Sequence, residues 1–179
     1  MYAFTEPRCM TSILPKDVMN ALNENKPTKS NNALEKLLSS DIYLDPKWVD
    51  SWLKEQFIYA YYPQSIQVSQ LRVRLFQNGE WKICPITESP AFAFIKGNEL
   101  EYVEYISYKN KCINDGDTNT IDRYKELIEK LDKGFDEKSY IAVDEEYIVL
   151  DGQHRACYLL GKYGLEHKVN VVKIYRKRD

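Results

Sequence analysis

The stretch YIAVDEEYIVLDGQHRACYLLGKYGLEHKVNVVKIY, residues 140–175, decides the fold. Residues 140–143 and 147–150 are short β-prone runs joined by the acidic Asp144, Glu145 and Glu146, and they predict a hairpin. A helix is expected to open near Gln153, burying Ala156, Leu159, Leu160 and Tyr163 before Gly164 stops it. Residues 169–175 then return as the strand that closes the sheet.

Upstream of this stretch, Thr118, Asn119 and Thr120 offer N-cap oxygens to a helix. Its apolar face is Ile121, Tyr124, Leu127, Ile128 and Leu131, and Gly134 supplies the stop. The order is helix, strand, strand, helix, strand, which defines an α+β domain with a small mixed sheet.

The chemistry concentrates at Asp151, Gly152, Gln153, His154 and Arg155. A strand delivers the chain to an Asp-Gly turn, glycine permits a tight turn and close backbone approach, and the next residues start a helix. Unpaired N–H groups and the positive end of the helix dipole favour an anion there. Arg155 adds a planar fork and His154 a directional donor. Asp151 has three open roles: capping the helix, orienting His154, or holding a magnesium ion that bridges phosphates.

The first half reads less clearly. The polar stretch 23–32 separates two N-terminal helices, the second at 33–38, and helical spacing recurs over 46–62 until Pro63. Trp48, Trp52, Phe57, Tyr59, Tyr61 and Tyr62 crowd that segment; they suit a core, and base stacking is the alternative. From Ile66 to Ile86 apolar alternation with Asn78-Gly79 predicts a β-hairpin whose Arg72 and Arg74 face solvent. Ser89-Pro90 marks a break before a short apolar strand or turn at 92–95, and 101–108 is open between helix and strand. The division expected is a helical and hairpin extension over 1–90 and a phosphate-binding domain over 91–179.

Composition narrows the class. The chain has 179 residues, 44% hydrophobic and 29% charged, enough for one real core. Its apolar runs fall far below the roughly 20 residues of a membrane helix, and Met1 to Thr11 has no signal-peptide pattern, so a cytoplasmic, non-membrane protein is expected. Cys9, Cys84, Cys112 and Cys157 lack paired spacing and read as reduced thiols. A net charge of −2 argues against a broad DNA-binding surface, although Arg176, Lys177 and Arg178 form a local basic run or a solvated tail.

Asp151 to Arg155, with the preceding helix and the YIAVDEEYIVL hairpin, resembles the ParB N-terminal/sulfiredoxin-like superfamily from about residue 98 to the end. That superfamily includes sulfiredoxins, CTP-hydrolysing ParB partition proteins and free serine kinases. The resemblance implies a loop, Gly152, Gln153, His154 and Arg155, that binds nucleotide phosphates with help from Arg123 on the preceding helix. Gln153 stands where sulfiredoxins carry their catalytic cysteine, which argues against peroxiredoxin repair. Likeness to the free serine kinases implies an upstream glutamate, Glu104, as base toward a small hydroxyl substrate, and the first reading is transfer from ATP or ADP with Asp151 organising Mg2+ or His154. A ParB-like nucleotide-sensing or DNA-associated module, binding without productive chemistry or with slow hydrolysis or nuclease activity, is the second reading, and CTP is the further nucleotide the resemblance allows. A non-catalytic partner-binding protein is the third.

Overall fold

The computed structural model describes residues 32–113, 120–134 and 139–177. The first N-terminal helix, Cys9, the cap candidates Thr118 and Asn119, and Arg178 lie outside the described residues. The architecture is α+β: a four-stranded mixed sheet and a two-stranded hairpin, with helices packed on them. In chain order the helices are α1 (Asn32–Leu38), α2 (Pro46–Ser51), α3 (Pro90–Ile95), α4 (Glu99–Cys112), α5 (Ile121–Lys133) and α6 (Gln153–Tyr163). The strands are β1 (Ile58–Gln67), β2 (Arg72–Gln77), β3 (Glu80–Pro85), β4 (Ile141–Val143), β5 (Val149–Asp151) and β6 (Lys168–Arg176).

The sheet runs β1-β6-β4-β5, with β6 antiparallel to β1 and parallel to β4. Instead of closing one side of the sheet, β6 therefore lies inside it. Its near-continuous apolar run is the signature of a strand covered on both faces. Val169 and Val171 enter one core with Ile141, Val143 and the α6 residues Ala156, Leu159 and Leu160. Val172 and Ile174 enter a second core on the other face with Leu34, Leu37, Val49 and Leu53. Strand pairing crosses position 90, since β1 and β6 share nine register positions from Ile58–Arg176 to Gln67–Lys168.

Several local expectations hold. Asn78 and Gly79 take φ of 53° and 82°, the left-handed pair of a two-residue hairpin turn between β2 and β3. Thr120 Oγ1 accepts from the Arg123 amide at 3.2 Å, and α5 ends at Gly134. The β4–β5 hairpin forms through Asp144, which is 2% exposed and accepts from the amides of Glu146 and Ile148 at 2.9 and 3.0 Å.

Others are corrected. The helix expected over 46–62 stops at Ser51, and β1 begins at Ile58. Ile58, Tyr59, Tyr61 and Tyr62 are β-favouring, and long-range pairing with β6 outweighs their helical spacing. Pro63 sits within β1, tolerated because β1 is an edge strand. Residues 92–95 are helical: Ser89 Oγ accepts from the Phe92 amide at 3.2 Å and Pro90 takes the first helical position. The open stretch 101–108 belongs to α4, started by the Asn98 side chain. Ile66 and Val68 end β1 and open a 3-10 turn instead of leading the hairpin. Tyr163, expected in the core, is 53% exposed and stacks on His167 at 4.6 Å. Arg176 is no solvated tail: it donates to Gln56 Oε1 at 3.2 Å and lies over the Trp52 ring.

Candidate functional site

Strand β5 ends at Asp151 and α6 begins at Gln153, so the whole reversal falls on Gly152, with φ of 90°. A side chain there would meet strain and also Arg155, whose Nη2 lies 2.8 Å from where a Cβ would stand. No side chain caps the helix start. Its first-turn amides and dipole face a cleft of about 980 Å3 lined by Gly152, Gln153, His154 and Arg155.

Arg155 folds back over the turn. Nη2 donates to Asp151 Oδ2 at 3.0 Å and to the Tyr140 carbonyl at 3.2 Å, and Nη1 donates to Ser139 Oγ. The two side chains of the ion pair are only 13% and 20% exposed. The fork expected to grip an anion is thus a clasp tying the helix start to the lead-in of β4. Burial raises the Asp151 carboxyl above the ordinary aspartate range, and the charge of Asp45 pushes the same way. The Arg155 charge pulls it down by less than burial lifts it.

His154 meets an aromatic box. Its Nε2 lies 2.8 Å from the Tyr102 hydroxyl, and its ring stands 4.5 Å from the Tyr124 ring. Tyr102, Tyr124 and Phe94 pack on one another with centroids 5.0–5.4 Å apart, and Tyr124 donates to the Ala91 carbonyl at 2.9 Å. Burial raises both phenols far above their ordinary values, so both keep their protons. Helices α3, α4 and α5 thereby set the imidazole's position.

Arg123 lines the cleft from the first turn of α5, with Lys130 two turns on and Lys47 opposite on α2. Glu104 does not join them: it is exposed on α4 and absent from the cleft wall. The carboxylates that do line it are Asp45, Glu126 and Asp151. Cys157, in the first turns of α6, is buried beside Ser89 Oγ at 3.3 Å, with its thiol pushed up to about 12, and is inert.

Sequence reasoning did not single out Asp45, Lys47, Lys130, Ser139 or Tyr102. Only long-range contacts bring them in: the bridge between Tyr43 and Ser139 straps the α2 approach beside β4. The Asp45-Pro46 pair was the available signal, since Asp45 Oδ1 caps α2 by accepting from the amides of Lys47 and Trp48.

Among the described residues no group of three His, Cys, Asp or Glu side chains converges as a metal cage. Among them, too, no helix is long and apolar enough to cross a membrane. No protein-family model, curated protein or solved structure matches the chain.

Proposed function

We propose that the chain is a ParB/sulfiredoxin-like nucleotide-binding protein that moves a phosphoryl group from ATP or ADP to a small hydroxyl compound. The observation that carries this reading is the uncapped start of α6, opening on a large cleft that also holds Lys47, Arg123 and Lys130. Backbone donors plus cations in a concave site suit a polyphosphate.

The chain's own groups divide the work. The amides after Gly152 and the three cations neutralise phosphate charge, while His154, held by Tyr102, orients a phosphoryl oxygen. Arg155 and Asp151 fix the turn that aims those amides. Asp45 and Asp151 suit a magnesium ion: both line the cleft, and the Asp45 charge opposes ionisation of Asp151, a repulsion that a cation relieves. Bound there with phosphate oxygens, Mg2+ would supply charge neutralisation in transfer. The acceptor oxygen bonds to phosphorus as the bridging P–O bond breaks. Glu126, which lies outside both the α2 cap and the Arg155 clasp, replaces Glu104 as the carboxylate for the released proton.

Isothermal titration with ATP, ADP and CTP, with and without Mg2+, tests the reading. Saturable binding is expected, weakened about tenfold in Arg123→Ala and Lys130→Ala, the weight of one charged contact, with transfer to a hydroxyl acceptor lost in His154→Ala. Absence of nucleotide binding overturns it. Binding without transfer, together with a salt-dependent DNA shift, would favour the sensing module instead.

A further inference from the structure

A second cleft, of about 680 Å3, lies on the other side of His154. Gln153 and His154 belong to the walls of both clefts, as do Trp48, Tyr102 and Leu150, so these residues form a partition. The two sides differ in chemistry. The α6-start cleft carries three carboxylates, whereas among the described residues the second cleft is lined by none. Its charged groups are Arg74 on β2 and Lys109 on α4. Asp144 stands 3.9 Å behind Arg74 and offsets part of its charge, but Asp144 itself is 2% exposed and outside the cleft wall.

The rest of the wall is mainly apolar, with three tryptophans among aliphatic side chains. Trp48 and Trp52 stack at 5.3 Å on one side, and Trp81 stands 54% exposed on β3, on the outer hairpin. Trp81 already meets Phe76 edge-on at 5.3 Å, and the half of its indole left in water beside the concave wall offers stacking surface to a flat ligand.

We propose that this second cleft binds the acceptor: a small compound with a flat ring and a carboxylate, the ring against the tryptophans and the anion between Arg74 and Lys109. Charge favours a carboxylate over a neutral nucleobase, since full opposite charge gains more from two cations than a base's hydrogen-bond acceptors do. The inference rests on the phosphotransfer reading only in calling the ligand an acceptor; the ring-and-anion site stands on its own residues. His154 borders both clefts, so for transfer the acceptor hydroxyl extends past the imidazole into the α6-start cleft, where Glu126 lies.

The experiment is calorimetric titration of the whole chain with 4-hydroxyphenylacetate, without nucleotide. Saturable binding is expected. It should weaken about tenfold with the neutral 4-hydroxyphenylacetamide and in Lys109→Gln, the worth of a charged contact. In Trp81→Leu it should weaken about fivefold, the low end of a stacking contribution. ATP affinity should not change in either variant. No saturable binding, equal affinity for the amide, or displacement of the probe by adenosine overturns the proposal. Because nucleotide is left out, loss of ATP binding with the probe still bound would sink the phosphate site alone.

Discussion

Asp151 and Arg155 act on each other before they act on any ligand. Because burial raises the Asp151 pKa in the folded chain, the native state keeps a proton that the unfolded chain releases near the ordinary aspartate value of about 3.9. Stability from this group is full below that value and is lost as pH rises through the raised one. Wild-type protein should therefore lose urea resistance relative to Asp151→Asn as pH is raised from about 3.5. Wild-type protein gaining urea resistance relative to Asp151→Asn as pH rises would contradict the burial of this carboxyl. Arg155→Met leaves Asp151, the Tyr140 carbonyl and Ser139 without their shared donor. Its expected cost is about 3 kcal/mol in a denaturant melt, the range for breaking a buried ion pair. A cost below about 1 kcal/mol would mean an exposed pair of little consequence.

At the scale of elements, α6 depends on how closely it meets α3. Gly161 faces Ile95, and a Cβ added there would overlap Ile95 Cγ2. Its conformation is ordinary helix, so the requirement is proximity alone. Gly161→Ala should cost about 1–3 kcal/mol by overpacking, read as a lower urea midpoint, while Gly161→Ala paired with Ile95→Ala should recover part of it. No loss in the single variant would show that the two helices can part freely. The same contact bears on the candidate site, because α3 also carries the Ala91 carbonyl that anchors Tyr124 under His154.

For the whole molecule, the site is assembled from α2, α4, α5 and the β5–α6 turn, so ligand binding should stabilise the entire fold. At ATP–Mg2+ one hundred times its dissociation constant, linkage gives about 2.7 kcal/mol. For a chain of this length that corresponds to a rise in Tm of roughly 5–10 °C. A calorimetric scan with saturating ATP–Mg2+ and an unchanged Tm would contradict binding to the folded state. Both clefts share His154, so one ligand should also alter the scan obtained with the other.

What residues 120–134 and 139–176 become was written locally: a threonine cap, two β-prone runs around an Asx turn, a glycine at the strand-to-helix reversal, and an apolar run fit for a strand. Each of these follows from the conformational preference of a few neighbouring residues, which is why the turn at Gly152 was legible as a candidate anion site. The fate of 57–67 was not, because helical spacing and β propensity compete there and only the nine-position register with β6 settles the balance. Tertiary structure likewise turned Arg155 inward, left Glu104 on the outside, and set Asp45, Lys47 and Lys130 around the helix start. Where local preferences agree they set the backbone; where they compete, as at 57–67, and wherever side chains meet across fifty or a hundred residues, the closing of the sheet and its two cores decides.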